Sequence, residues 1–320
     1  MSFFSQLGDL INITLVFATA LLFGALGGIV SERAGVVNIA IEGLMMVGAF
    51  ASAVAAFYME EAELLGAAPW VGLLAAVVLG GLFALIHAVA SITFKADQVI
   101  SGVVINFLAA GATVYLVKLL FEGAGQTETL NVAFTKWAIP VLSDIPFLGK
   151  AIFTAYPTTY IAVLLVAVVY YVLFKTPFGL RLRSVGEHPS AADTAGIRVL
   201  RIRYIAVMLS GALAALGGAT ITLTTTSNFS HNTISGQGFI ALAAVIFGKW
   251  NPLGALGATL FFGFAQALNN WIQLFPWSKS IPQEFIFMLP YVLTILVLAG
   301  AVGRARAPSA LGEPYDPGKR

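Results

Sequence analysis

The chain contains no cysteine. That excludes disulfides, iron–sulfur clusters and thiol nucleophiles, and carries no information about compartment. Charge is also scarce, since Asp, Glu, Lys and Arg make up 10% of the 320 residues. Histidine occurs only as His87, His188 and His231, too scattered to read as a metal site. A phosphate-binding P-loop is missing as well. Its signature places a Gly-Lys-Ser/Thr after a glycine and four further residues, so that backbone N–H groups cradle the phosphates. The three Gly-Lys pairs here, Gly149-Lys150, Gly248-Lys249 and Gly318-Lys319, are followed by Ala151, Trp250 and Arg320, and Asp144, Ala243 and Glu313 stand where the leading glycine belongs. If this chain takes part in an ATP-driven process, another polypeptide hydrolyses the ATP.

What is present is apolar. Hydrophobic residues make up 59% and the mean hydropathy is +0.91, and stretches near the ~20 residues needed to cross a bilayer recur along the whole length. The expected fold is an all-α polytopic membrane protein with about nine spans. They are placed at about 11–30, 38–58, 68–93, 99–121, 158–174, 203–224, 238–248, 253–273 and 284–302. The seventh is too short for an ordinary crossing and reads as a half-helix or a segment with polar ends. Residues 1–303 form one transmembrane domain, and the tail from 304 to 320, with "PSALGEPYDPGKR", reads as disordered. The opening "MSFFSQLGDLINITLVF" lacks a basic n-region and a small-residue cleavage site, so it is expected to remain as the first span.

Basic residues set the orientation. With the N-terminus outside, the inner side holds all of the 17 Lys and Arg residues except Lys118, Lys136, Lys150 and Lys279. The outer loops carry acids instead, among them Glu60, Glu61, Glu63, Glu122 and Glu128. The C-terminus is then expected inside, in a multi-pass protein of the cytoplasmic membrane.

The chain also resembles itself. "LLFGALGGIV" in span one corresponds to "LSGALAALGGAT" in span six, and each precedes a loop and a glycine-led helix, "GVVNIAIEGLMMVG" or "GQGFIALAAVIFG". Spans one to four (about 11–121) match spans six to nine (about 203–302), with span five (about 158–174) as connector. Because span one starts outside and span six inside, the repeats are inverted, a transporter pattern. The glycines could let helices approach closely or let the backbone unwind toward a cavity, and their paired occurrence, each before a polar short helix, favours the cavity.

The basic loop 175–203 contains "HPSAADTAG". Pro189 suits a first helical turn, Ser190 and Asp193 sit at capping-box spacing, and Gly196 is a natural stop. A short helix with alanines on its face suits a groove on a partner protein, and the competing reading is a connector whose arginines anchor to lipid.

"TPFGLRLRSVGEHPSAADTAGIRV" resembles the coupling loop of permease subunits of ATP-binding-cassette (ABC) importers, in the group that includes ribose-type and branched-chain amino acid permeases. "GVVNIAIEGLMMVGAF" resembles that group's second-span motif. "SERAGVVNIAIEG" together with "KADQVISGVVINFLAAG" is most similar to the nucleoside, or simple-sugar, permeases. The likeness runs over roughly 12–303. It implies a pair of permeases, here two different chains of which this resembles the shorter. It also implies two ATPase subunits holding the ATP, and an external binding protein or lipoprotein. This chain is expected to hold no cofactor and to be no enzyme. The family usually shows about ten spans, and the additional N-terminal one is not seen here.

The polar residues within apolar spans are the candidates for a substrate path: Asn38, Glu42, Asn106, Gln266 and Asn269. Amides offer both a donor and an acceptor, which suits ribose hydroxyls and base edges. Coupling to the ATPase is expected from Gly186, Glu187, Ala191, Ala192 and Gly196, with the two glycines bounding the lever. Glu42 has three candidate roles: holding backbone N–H groups at the broken "GVVN" region, facing substrate, or pairing with a cation such as Arg33. The alternative function is an ion-coupled secondary transporter with Glu42 as coupling site. Such a protein would have no need of the basic docking loop. No cluster of His, Asp and Ser supports a membrane enzyme, and no filter stretch supports a channel.

Overall fold

The computed structural model describes residues 3–273, 275, 281, 282, 284, 285, 288, 292 and 306–317. The described helices are α1 (Phe3–Arg33), α2 (Ile41–Glu61), α3 (Ala68–Ala88), α4 (Gln98–Leu120), α5 (Leu148–Ala151), α6 (Pro157–Lys175), α7 (Pro177–Glu187), α8 (Pro189–Thr194), α9 (Val199–Ile221), α10 (Gln237–Phe247) and α11 (Pro252–Ile272). Helices α3 and α9 each run on into a π-helical turn, Val89–Thr93 and Thr222–Thr226. Among the described residues, α1, α2, α3, α4, α6 and α9 are long and apolar enough to cross a membrane. Helix α10, with 11 residues, is roughly 17 Å long at ~1.5 Å per residue, too short to span. Helix α11 occupies the eighth expected span, whereas the ninth, at 284–302, lies mostly outside the described residues. The fold is that of a mostly helical, multi-pass membrane protein.

Burial ranks the helices. The most apolar windows of α1, α2 and α9 are 78%, 72% and 72% buried inside the chain, against 39% for α3 and α6 and 22% for α4. Three helices therefore form the centre. Their glycines are what let them meet. A methyl at Gly218 of α9 would lie 1.8 Å from Met45 O of α2, and one at Gly27 of α1 would lie 2.6 Å from Ser210 O of α9. Helices α1 and α9 run unbroken through "GALGG" and "ALGGA", so these glycines serve close backbone approach and do not unwind the chain.

The interruptions fall elsewhere, in the non-helical segments before α2 and α10. The second span starts three residues later than expected, at Ile41, because Gly35 takes φ +86° and turns the chain away from α1. The first span is longer than expected and reaches Arg33.

At the end where α1 begins, Trp137–Ala138 (β1) pairs antiparallel with Thr154–Ala155 (β2). Lys150 meets Asp9 of α1 at 3.1 Å. Glu60, at the far end of α2, accepts from Asn131 N and Val132 N at 3.0 and 2.8 Å. The C-terminal tail is not the disordered segment its composition suggests. Residues 308–316 lie across the opposite end of the molecule, with Ala310 and Tyr315 buried. The physical reason is that backbone groups of the tail pair with Gly35, Gly186 and Arg203, as described next.

Candidate functional site

The segment 34–43 forms a buried junction between α1 and α2. Val37 N donates to Gln98 Oε1 at 2.7 Å, and Val37 O accepts from His87 Nε2 at 3.1 Å. A carbonyl can only accept, so Nε2 carries a hydrogen, and in the neutral ring Nδ1 then accepts from Ser101 Oγ at 2.9 Å. Asn106 of α4 clamps the start of α2 at both ends of its amide: Oδ1 accepts from Gly43 N at 2.8 Å and Nδ2 donates to Ile39 O at 3.0 Å. Asn38 is fully buried, and its Nδ2 donates to Ser210 Oγ of α9 at 2.7 Å. Its Oδ1 has no partner among the described residues.

Glu42 reaches across to α10. Its Oε1 accepts from Gly236 N and its Oε2 from Gly238 N, both at 2.7 Å. Gly236 adopts φ +88°, a left-handed conformation that favours glycine. The close approach requires the second glycine, because a methyl on Gly238 would sit 2.4 Å from the Glu42 Cα. A carboxylate is stabilised here by two N–H donors at the positive end of a helix. The N–H groups Glu42 holds are thus those of "SGQG" and not those of "GVVN". Arg33 does not reach Glu42. Its Nε donates to Trp250 O at 3.0 Å, while Glu32 accepts from the Trp250 indole at 2.5 Å.

The five polar candidates fall into two groups. Asn38, Glu42 and Asn106 gather at the junction. Gln266 of α11 exchanges two hydrogen bonds with Gln237 of α10, at 3.0 and 3.2 Å. Asn269 accepts from Gln273 at 2.9 Å one turn on. Gln237 also borders a cavity of about 200 Å³ between α1, the π-helical end of α9 and the start of α10. Its polar lining is Thr220, Thr224, Thr225, Thr226, Thr233 and Gln237. Sequence reasoning missed these threonines. The signal was the run "TITLTTTS", dense in hydroxyls where an apolar span should continue.

The basic loop 175–203, expected to meet an ATPase, folds into α7 and α8. Helix α8 starts at Pro189 as expected and ends in a Schellman motif: Ile197 N donates to Ala192 O and Gly196 N to Asp193 O, at 3.0 and 2.8 Å, with Gly196 at φ +80°. The capping box does not form. The N-cap is His188, one residue ahead of Pro189, and it gives no side-chain cap. Ala191 is exposed, but Ala192 is 4% exposed and packs into the protein. Gly186 is pressed against α1, where a methyl would lie 2.1 Å from Arg33 O. A cavity of about 530 Å³ opens between α7 and the start of α9, bordered by Arg181, Ser184, Arg198 and Arg201.

The tail closes over this region. Ala310 N donates to Gly186 O at 2.9 Å, and Glu187 Oε2 accepts from Ser309 N and Oγ at 3.2 and 2.9 Å. Arg203, 1% exposed, donates through Nη1 to Glu313 O at 2.9 Å, and Lys95 pairs with Asp316 at 3.0 Å. Glu187 therefore holds the tail.

A multi-pass helical protein with a basic loop packed at one end and a polar seam between its central helices has the make-up of a transport subunit. A family model described as "Branched-chain amino acid transport system / permease component" matches residues 10–298, and the chain belongs to that family. The guanosine ABC transporter permease protein NupQ of Bacillus subtilis (strain 168) is 55% identical over 98% of both chains. The nucleoside ABC transporter permease protein NupC of Lactococcus lactis subsp. cremoris (strain MG1363) is 45% identical over 94% of both. NupB of the same Lactococcus strain, also a nucleoside ABC transporter permease protein, is 26% identical over 82% of this chain and 74% of its own. This chain is thus an ABC-importer permease subunit and not an enzyme. Membership implies ATPase and substrate-binding partners in general terms.

Proposed function

We propose that the chain moves nucleosides inward as one of two different permease subunits, with its N-terminus outside and its C-terminus inside. The observation that carries this reading is 55% identity, end to end, with a guanosine permease. Two Lactococcus permeases named for nucleosides, one similar to this chain and one distant, support a pair of unlike subunits. The ion pair of Lys150 with Asp9 lies at the start of α1, and the tail lies at the coupling-loop end. This supports placing the termini at opposite membrane faces.

Packing supports the inverted repeat. Helix α1 lies against α11, α10 and α9, and α9 lies against α3, α2 and α1. Exchanging α1 with α9, α2 with α10 and α3 with α11 maps that set of neighbours onto itself. The glycines follow the same exchange: Gly24 and Gly28 of α1 face Ala241 and Val245 of α10, and Gly218 of α9 faces Met45 and Ala49 of α2.

In this reading the exposed face of α8, with Ala191 and Gly196, docks on the ATPase, and ATP hydrolysis supplies the movement there. Gly186 presses on Arg33 and Gly35, so displacement of α7 reaches the junction ahead of α2. Asn38, Glu42 and Asn106 hold the parts of that junction together. Gln266 and Asn269, with Gln237, border the path between α10 and α11. Glu42 is a poor proton-coupling site, because both its oxygens hold backbone N–H groups.

The test is guanosine uptake in cells carrying the whole system, comparing wild type with Ala191→Arg at matched membrane levels. Uptake lost together with ATPase co-purification supports the reading. Uptake that persists and collapses with the proton gradient means a secondary transporter, and transport of sugars without guanosine refutes the nucleoside assignment.

A further inference from the structure

We propose that the threonine-lined cavity at the π-helical end of α9 is the station where the permease reads its substrate's hydroxyl groups as hydrogen-bond donors. The inference rests on the nucleoside reading above and deepens it. The argument concerns where the hydroxyl protons are already spent. Thr220 donates to Leu216 O at 2.9 Å, Thr224 to Thr220 O at 2.6 Å and Thr226 to Asn228 O at 2.8 Å. With the Thr224 proton engaged, the Thr224–Thr225 contact at 3.2 Å is donated by Thr225. Thr233 accepts from Ser230 N at 2.8 Å. A hydroxyl has one proton and two lone pairs. Thr220, Thr224, Thr225 and Thr226 are therefore left with lone pairs and no proton for a ligand, while Thr233 keeps its proton. Gln237 spends one amide hydrogen and its oxygen on Gln266, which leaves a single neutral N–H.

A wall of this kind fits a ligand rich in O–H donors and poor in charge. The ribose of a nucleoside is such a group. A phosphorylated nucleoside is not, because phosphate oxygens only accept and, among the described residues, no charged side chain lines the cavity. The volume of about 200 Å³ matches the sugar and part of a base. The apolar side, from the 16–20 stretch of α1, offers a face for a ring. A π-helical turn widens the backbone locally and is frequent at functional sites, and here it carries three of the threonines, Thr224, Thr225 and Thr226.

The experiment compares uptake of guanosine and 2′,3′-dideoxyguanosine by cells carrying the complete system, at matched membrane levels of permease. The variants are Thr224→Val with Thr225→Val, the Thr→Ser pair at both positions, and Thr225→Val alone, whose hydroxyl meets only Thr224 among the described side chains. Selection by the external binding protein is common to all of them and cancels in the ratio. The Val pair is expected to slow guanosine about tenfold, the worth of one to two hydrogen bonds, while dideoxyguanosine stays within about twofold. The Ser pair should restore guanosine uptake, and Thr225→Val should show a smaller loss of the same selectivity. An unchanged ratio, or equal loss for both nucleosides in Thr225→Val, overturns the proposal while the nucleoside reading stands. Absence of guanosine uptake in wild type overturns both.

Discussion

Glu42→Gln is the most informative single change. The carboxylate accepts two backbone N–H groups at 2.7 Å each, at the N-terminus of α10. Hydrogen bonds to a charged acceptor contribute about 1.5–3 kcal/mol, and a negative charge at a helix N-terminus adds about 0.3–2 kcal/mol. Glutamine keeps one accepting oxygen and turns an NH2 group against the other N–H. One bond is lost, a donor faces a donor, and the charge term disappears, for a total of about 2–4 kcal/mol. That is a large share of the ~5–15 kcal/mol typical of a folded domain. The residue is 9% exposed, so water cannot fully replace the lost acceptor. The assay is thermal unfolding of the purified permease pair, followed by intrinsic fluorescence, beside guanosine uptake. The expected result is a fall in midpoint of about 5 °C or more, with uptake lost in proportion to the folded protein lost. Glu42→Asp should behave alike, because its shorter side chain reaches at most one N–H group. An unchanged midpoint with abolished uptake would refute the capping role and make Glu42 a group that acts on substrate or a coupling ion.

Removing residues 308–320 should lower both the unfolding midpoint and the membrane level, since Arg203 would lose its bond to Glu313 O and Gly186 O its bond from Ala310 N. A hydrogen bond from a charged donor contributes about 1.5–3 kcal/mol, and Arg203→Met should recover part of that loss in the truncated chain. Ala191→Arg and Ala192→Arg should separate: the first leaves the midpoint unchanged and weakens ATPase co-purification, whereas the second lowers the midpoint because Ala192 faces inward. Gly218→Ala should abolish assembly, with a methyl 1.8 Å from Met45 O, while Gly111→Ala, with nothing within 4 Å, should be neutral or slightly stabilising by thermal unfolding.

The membrane spans were legible because they rest on composition alone. Apolar length against bilayer thickness needs no tertiary knowledge, and six helices fall where hydropathy placed them. Boundaries slipped where backbone geometry intervened, as at Gly35, whose φ of +86° delays α2. The paired glycines favoured unwinding in the sequence and instead serve packing, since unwinding and close approach both favour a missing side chain. What decides between them is the position of the neighbouring helix, which is tertiary information. The same holds for Ala192: six residues of α8 show two alanines in a row, and only packing says which one is buried. The tail was misread for a related cause. Its composition is poor in apolar residues, and its order comes from backbone groups meeting Gly35, Gly186 and Arg203, partners more than a hundred residues away.

The cost of a carboxylate at membrane depth explains why Glu42 was visible in the sequence and its partner was not. A buried charge must be compensated, so the residue announces that something lies opposite. The compensating groups, Gly236 N and Gly238 N, are backbone atoms and leave no side-chain mark. Their glycines are the indirect mark: one takes a left-handed φ, and the other admits the α2 backbone at a distance no Cβ would allow. The bond joins the first turn of the short helix in one half of the chain to the first turn of α2 in the other. If α2 and α10 move apart during transport, this contact must break or travel with them. Glu42 thereby ties the start of α2 to the start of α10, next to the junction that Gly186 of α7 presses upon through Arg33 and Gly35.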